Sequence, residues 1–349
     1  MRFVSPLLKR AVYPALHGAG YLGRLSPPAG YAVVSYHGVL PADHSASDKF
    51  LDGNLIGPET LRKELKFLKA RFRIIHPEDF RASMEQAKPL PPRSVLVTCD
   101  DGLLNTLTDM LAILQAESVP CLFFVTAASC GNEPGMLWYE ELYHCMRSKP
   151  LNELASQLPP EPGTDPASAG TFQSQWWDLV RRASQLDAET RADWMAQVRT
   201  SSPKQATSSD RRWHLLSLPE LKQLSQSGMT IGAHTRTHPV LSLCGDEEAR
   251  REIRESKLEI ERALGQEVWA FAYPFGNPAT MGEREFRLAR EAGFSCAFLN
   301  VEHWYVEHGA TEHSTFALPR THVTSDMTLP EFSAHLSGFH TRLQRAVGG

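Results

Sequence analysis

Short apolar runs alternate with longer amphipathic stretches along most of the chain. Residues 31–36 (Tyr-Ala-Val-Val-Ser-Tyr) read as a buried strand that delivers His37-Gly38 to its end. Pro58-Glu59 opens a helix with Leu61, Leu65 and Leu68 on one face. A short strand at 72–75 and a central strand at 94–99 follow, then a helix over about 105–117 and a strand at 121–125. Ser217-Leu218-Pro219-Glu220 has the spacing of a capping box, and the helix it starts ends at Gly228, just ahead of the apolar run 230–233. Residues 246–264 form a charged helix with Ala249, Ile253, Ile260 and Leu264 as its buried stripe and Gly265 as its C-cap. A strand from Trp269 runs into the turn Pro274-Phe275-Gly276. A helix at about 283–292, a strand at 295–299 and a last strand with its exit at 316–322 come next. The terminal helix carries Phe332, Leu336, Phe339 and Leu343 on one face. Strands alternating with helices imply βα units and a parallel sheet or barrel, with polar residues gathered at the strand ends.

Between about 131 and 216 this rhythm breaks. Five of the seven tryptophans lie here (Trp138, Trp176, Trp177, Trp194 and Trp213), beside loop-like tracts such as Leu158-Pro159-Pro160-Glu161-Pro162-Gly163. The stretch reads as a mostly helical insertion. Its tryptophans either stack on sugar, if exposed, or form a core of their own, if buried. Residues 1–30 form an N-terminal helical segment, and 31–349 the main interrupted domain. Within 1–24, basic residues and prolines interrupt the apolar ones. A short helix packed on the domain and a peripheral membrane anchor are both compatible with this pattern, whereas a signal peptide's continuous apolar core is missing.

Two motifs carry chemistry. Thr98-Cys99-Asp100-Asp101-Gly102 closes the central strand with adjacent carboxylates, which resist ionising together when buried. A metal ion removes that conflict by taking one as a ligand and leaving the other free as a base. Asp-Gly also simply ends strands in turns, so this motif alone leaves both readings open. His234-Thr235-Arg236-Thr237-His238 follows the run 230–233 and spaces two imidazoles at i and i+4, where one helical turn or a tight loop aims both at one ion. With one Asp they make a two-His, one-carboxylate set.

Taken with Phe271-Ala272-Tyr273-Pro274-Phe275-Gly276 and Leu318-Pro319-Arg320-Thr321-His322, these motifs resemble those of the polysaccharide deacetylases, carbohydrate esterase family four, across roughly residues 31–325. The resemblance implies an α/β fold, a distorted (β/α)7 barrel, here with a helical insertion. It implies metal-dependent hydrolysis of N-acetyl, or O-acetyl, groups on glycans. Asp101, His234 and His238 would hold one divalent metal, Zn2+ by preference, with Co2+, Ni2+ or Mn2+ as alternatives. Asp100 would be the general base toward the attacking water, and the backbone N–H of Phe275 would help hold the oxyanion, with Tyr273 and His37 lining the substrate site. His322 is the candidate general acid, with His303, His308 and His313 as alternatives.

Three departures from the family pattern stand out. Cys99 replaces a frequent Phe, either filling its space or placing a thiol beside the metal. Ala272 stands where an Arg often orients the base; Arg320 either takes over that role, binds an anionic group of the substrate, or simply ends the strand. His322 lies four residues after Leu318 rather than two.

Composition narrows the partners. A net charge of −4 over 349 residues makes no electrostatic case for nucleic acid. Six scattered cysteines without a CxxC pair fit reduced thiols in a cytoplasmic protein, at the inner membrane face if residues 1–24 bind lipid. The expected partner is an acetylated glycan or glycan precursor in cell-surface polysaccharide or glycoconjugate biosynthesis. A small-amide, allantoinase-like hydrolase and a non-catalytic carbohydrate-binding relative are the alternatives.

Overall fold

The computed structural model describes residues 5–27, 30–40, 52–86, 88–132, 135–148, 152–160, 171–201, 213–301 and 314–348. The alternative acids His303, His308 and His313 lie outside them.

Every strand pairing is parallel. β1 (Tyr31–Tyr36), β2 (Arg73–Ile74), β3 (Ser94–Cys99), β4 (Leu122–Val125), β5 (Thr230–Ala233), β6 (Ala270–Ala272), β7 (Cys296–Phe298) and β8 (Thr321–His322) run in the order β7-β6-β5-β4-β3-β1-β8, with β2 beside β3. The two edges meet through a single segment: Leu318 bridges to Phe298 of β7, and Thr321-His322 pair with Val34-Ser35 of β1. A (β/α)7 barrel results, closed by its last strand.

Alternation along the strands sorts the apolar residues. Val33, Leu96, Leu122, Phe124, Ala270, Ala272 and Phe298 share the lumen cluster, while Val34, Val95, Val97, Phe123, Ile231 and Phe271 face the surrounding helices. That outer layer comprises α1 (Tyr13–Gly18), α2 (Pro58–Arg71), α3 (Pro77–Gln86) and α4 (Leu111–Ala116), and later α9 (Leu218–Gln226), α10 (Asp246–Leu264) and α11 (Glu283–Glu291). The Ser217/Glu220 capping box forms, and Gly265 takes φ +69° at the end of α10. Four helices, α5 (Trp138–Ser148), α6 (Asn152–Ala155), α7 (Phe172–Ala183) and α8 (Ala188–Ser201), make up the insertion. They enclose an apolar cluster of their own in which Trp138, Trp176, Trp194 and Trp213 are buried; these are core residues rather than a sugar platform.

The expected single terminal helix is two, α12 (Leu329–Leu336) and α13 (Phe339–Gly348), broken at Ser337-Gly338 where Gly338 adopts φ +68°. Tyr13 of α1 packs into this corner, its ring edge-on to Phe339 at 6.4 Å. No helix among the described residues is long and apolar enough to cross a membrane.

Candidate functional site

The C-terminal ends of β3 and β5 build the centre of the site. The Asp100 N–H still donates to the Tyr36 carbonyl at 2.9 Å, and the chain then turns sharply through Asp101 and Gly102 at φ +73° and +74°. A side chain at Gly102 would meet Val125 at 3.0 Å, so this turn needs glycine for space as well as for conformation. After β5, Thr235 and His238 also take positive φ, +65° and +61°, making a tight loop rather than a helical turn. Phe275 is a fourth such residue at φ +59°. Strained backbone among the described non-glycine residues is thus concentrated here, where rigid surroundings hold it.

The loop after β5 is clamped from α10. Glu252 Oε2 accepts the backbone N–H of Arg236 and Thr237 at 2.9 and 2.8 Å, while its Oε1 meets the Thr237 hydroxyl. Arg191, reaching in from α8 and buried, donates to Thr237 Oγ1 at 2.5 Å and lies 3.4 Å from Glu252.

Both imidazoles converge on one carboxylate oxygen. His234 Nε2 lies 3.4 Å and His238 Nε2 3.3 Å from Asp101 Oδ1, and all three residues are 5% exposed or less. Ligand atoms about 2.0–2.1 Å from a tetrahedral ion stand about 3.3–3.4 Å apart. The two His–Asp separations match the spacing that a zinc-type ion requires, the three donor atoms all lie within 4.8 Å of one another, and they are the one such group among the described residues. The Nδ1–H of His234 bonds the Ala272 carbonyl at 2.7 Å, which leaves Nε2 as the donor atom. Burial works against the Asp101 charge, but hydrogen bonds from His234 and His238 outweigh it and hold the carboxyl well below its ordinary range.

Asp100 is gripped by Arg320. The guanidinium Nη1 and Nη2 reach Oδ1 and Oδ2 at 2.6 Å each, and Nη1 also lies 3.2 Å from Thr98 Oγ1. Arg320 Nε donates to the Leu299 carbonyl at 2.7 Å, and its guanidinium stacks over Phe124 and Phe298 in the lumen. Desolvation raises the Asp100 pKa; the Arg320 charge, with His234 behind it, reverses that and keeps the carboxyl below its usual value.

The first turn of α5 covers this centre. Trp138 Nε1 donates to the His238 carbonyl at 3.2 Å, and the Tyr139 ring lies 4.9 Å from that of His238 and 5.4 Å from Phe275. Phe275 also meets Trp177 of α7 at 5.1 Å. Glu140 is 5% exposed with its Oε2 unpartnered, and desolvation first, then the Asp101 charge, push its carboxyl well above the ordinary range.

The sequence family described as Polysaccharide deacetylase matches residues 201–297, which include the His234/His238 loop and the Pro274-Phe275-Gly276 turn. The chain resembles the polysaccharide deacetylases in sequence and in fold. A Streptococcus pyogenes deacetylase, PplD, in complex with acetate superposes with a TM-score of 0.54 at 14% identity, covering 88% of this chain and 97% of that one. IcaB from Ammonifex degensii gives 0.53 at 18% identity over 89% and 98% of the two chains. A de-N-acetylase from Aggregatibacter actinomycetemcomitans gives 0.53 at 14% identity over 88% and 99%. At these identities the likeness is one of fold. No curated protein matches the sequence.

Within this deacetylase fold the remaining expected residues divide. His37, at the end of β1, stands with Nε2 4.0 Å from Asp100 Oδ2 and its ring 4.6 Å from that of His322, so both belong to the site's rim. His322 is half-buried, with Nδ1 3.4 Å from Asn300 Nδ2. Tyr273 does not line the site. It alternates with lumen-facing Ala272, so its side chain points outward into the helix layer, where the hydroxyl donates to the Phe316 carbonyl at 3.0 Å. Cys99 likewise faces outward and is fully buried, and desolvation raises its thiol well above the usual value; it is a packing residue, not a thiol beside the metal. Tyr139, Glu140, Trp177 and Arg191 were not expected at the site. They lie on three helices of the insertion, α5, α7 and α8, and a helical pattern does not say what a helix covers.

Proposed function

We propose that this protein is a metal-dependent deacetylase that hydrolyses N-acetyl groups on a carbohydrate, in the assembly of a cell-surface polysaccharide or glycoconjugate. The observation that supports it most is the convergence of the His234 and His238 Nε2 atoms on one oxygen of Asp101, beside a second carboxylate held in its ionised form by Arg320.

Asp101, His234 and His238 would hold one divalent ion, zinc by the spacing of the donors. Such an ion, when bound, polarises the acetyl carbonyl and makes water a stronger acid. Asp100 takes the proton of the attacking water, and Arg320 fixes both of its oxygens so that it can do so in one orientation. The backbone N–H of Phe275, in the Pro274-Phe275-Gly276 turn, would donate to the developing oxyanion. His322, its ring tilted against that of His37 at the rim, protonates the leaving amine.

The near-complete burial of the donors under α5 favours a sugar that enters by its end, such as a monomeric or terminal residue, over the interior of a long polymer. It also gives the small-amide reading its one point of support. The assigned location is the cytoplasm, with the helix carrying Leu7, 68% exposed, as a peripheral membrane contact.

Acetate release would be measured from acetylated oligosaccharides, nucleotide sugars and lipid-linked sugars, with chelator and then with zinc, cobalt or nickel restored. Release from one class that chelator abolishes is the expected result. No release from protein holding one metal per chain shifts the substrate to a non-sugar amide, and no release with no metal defeats the enzyme reading.

A further inference from the structure

Three large apolar side chains are exposed among the described residues, and two of them, Leu7 at 68% and Tyr21 at 46%, lie within the first 21 residues. The exposed positions between them hold Arg10 and otherwise only Ala, Pro or Gly, at 11, 14, 15, 18 and 19. The other face of this segment is engaged. Lys9 pairs with Asp326 at 2.8 Å and Glu331 at 3.3 Å, and the Tyr13 hydroxyl bonds with His340 Nδ1. The segment is thereby fixed to α12 and α13, and its outward apolar face stays open among the described residues.

Arginines collect where this face ends. The Arg71 guanidinium lies against Gly23, where a Cβ would stand 3.0 Å from Nη1. Arg93 Nη2 donates to the Gly23 carbonyl at 2.9 Å, and Arg342 Nη2 donates to the Ser26 carbonyl at 3.2 Å. Arg24 stands between them in the chain, exposed like Arg71 and Arg342. None of the four meets a carboxylate among the described residues. On α10 and α11, by contrast, Arg250, Arg284 and Arg287 each face one. The sequence accounts for the difference: no Asp or Glu precedes residue 43 or follows residue 331, although acidic residues outnumber Lys and Arg by 40 to 36 in the whole chain. Like charges gathered without a counter-charge repel one another, and an anionic surface relieves that repulsion.

We propose that this side of the barrel, Leu7 and Tyr21 with Arg24, Arg71, Arg93 and Arg342, is a docking surface for a bilayer of anionic phospholipid. The guanidinium groups take lipid phosphates, while the apolar face enters the headgroup boundary, where a tyrosine ring is at home. The apolar face beside the charges favours lipid over nucleic acid, which would find phosphate partners here but nothing for Leu7. The proposal deepens the peripheral membrane contact of the helix carrying Leu7 and is independent of the metal chemistry, since Arg93 precedes β3 and Asp100 follows it.

Flotation of the full chain with vesicles of phosphatidylcholine, alone or mixed with phosphatidylglycerol, is the test. The wild type should bind the mixed vesicles far more tightly than the neutral ones and be released as salt rises. Arg24→Gln, Arg71→Gln and Arg342→Gln combined should weaken that binding about a hundredfold, at about fivefold for each charge. Arg24→Lys, Arg71→Lys and Arg342→Lys combined should keep most of it. Leu7→Ser with Tyr21→Ser should weaken binding while its salt dependence persists. Arg250→Gln, Arg284→Gln and Arg287→Gln combined, an equal charge loss elsewhere, should bind as the wild type does. Acetate release from a water-soluble substrate should be the same in the wild type and the Arg24/Arg71/Arg342 Gln variant, so failure of the deacetylase reading shows itself separately. A wild type that binds neither vesicle, or whose binding survives the loss of Arg24, Arg71 and Arg342 unchanged, would overturn the proposal. Binding of inorganic phosphate without binding to vesicles would overturn it in favour of a soluble phosphorylated ligand.

Discussion

Arg320 and Asp100 are 220 residues apart in sequence, yet the guanidinium and the carboxylate meet at two matched distances of 2.6 Å in the barrel lumen. Such a two-point pair is geometrically specific. Arg320 is fully buried and stacked on Phe124 and Phe298, so it has no water to retreat to.

Replacing Arg320 with Met should therefore act on charge before it acts on packing. A buried Asp100 without its cation costs about 3–5 kcal/mol, and its pKa should rise, because the force now holding it down is removed. The acid limb of the pH–rate profile should move to higher pH and the melting temperature should fall. A profile unchanged in shape would show that Arg320 does not set the ionisation of Asp100.

Asp100→Asn separates base from ligand. Metal content should stay at the wild-type level, since Asp100 is outside the three-donor group, while acetate release should fall by two or more orders of magnitude. Undiminished turnover would remove Asp100 from the mechanism.

His238→Ala is expected to fail differently. Two protein donors hold a divalent ion poorly, so metal content and turnover should be lost together. Metal analysis by mass spectrometry decides the point; full occupancy in this variant would place the ion elsewhere.

The Arg191–Glu252 pair ties α8 to the loop between the two histidines. Arg191→Met should leave Glu252 without its buried cation, destabilise the fold by a few kcal/mol, and weaken zinc binding by loosening the Thr237 backbone. Wild-type zinc affinity in a destabilised Arg191→Met protein would confine the pair to a structural role.

Away from the site, Glu64 of α2 gives a pH signature. Burial pushes its carboxyl up to about 8, only partly offset by the bond from the Tyr36 hydroxyl. An unfolded glutamate, at 4.5, gives up its proton sooner than the folded one. The stability this group lends is whole below pH 4.5 and is lost as the pH rises through about 8. At about 1.4 kcal/mol per pH unit the loss amounts to several kcal/mol. Glu64→Gln should flatten that decline in chemical denaturation series from pH 5 to 9; an equal slope in both proteins would assign the pH dependence to other groups.

How far the sequence carries depends on how local each constraint is. His234 and His238 stand at a strand end with a spacing that itself suggests a shared ion, whereas the choice of Asp101 rather than Asp100 as their partner comes from the resemblance to the polysaccharide deacetylases. Arg320 is legible only as one of several roles, since the family pattern leaves the orienting position to Ala272 and nothing local in Leu318-Pro319-Arg320 says that the side chain reaches back to Asp100. Tyr273 was misplaced although its parity along β6 carries the answer: Ala270 and Ala272 face the lumen, so Phe271 and Tyr273 cannot. The break at Gly338 escapes a periodic reading because Phe332, Leu336, Phe339 and Leu343 keep helical spacing straight through it. Tyr139 and Glu140 were beyond reach for a different reason. An apolar stripe says that a helix is covered, while the surface that covers it is settled only by tertiary packing.

The closing strand carries one more consequence. Residues 318–322 join β7 to β1 and bring the only guanidinium that the described residues place on Asp100. During synthesis from the N-terminus, Asp100 emerges long before Arg320, and over that interval it lacks its two-point guanidinium partner. The Asp100–Arg320 pair is thus incomplete until the segment around residue 320 docks. Cleavage or premature termination before residue 318 would yield not a weakened enzyme but an open sheet with an unmatched charge at its heart, and proteolytic sensitivity of the nascent chain should persist until that strand is made.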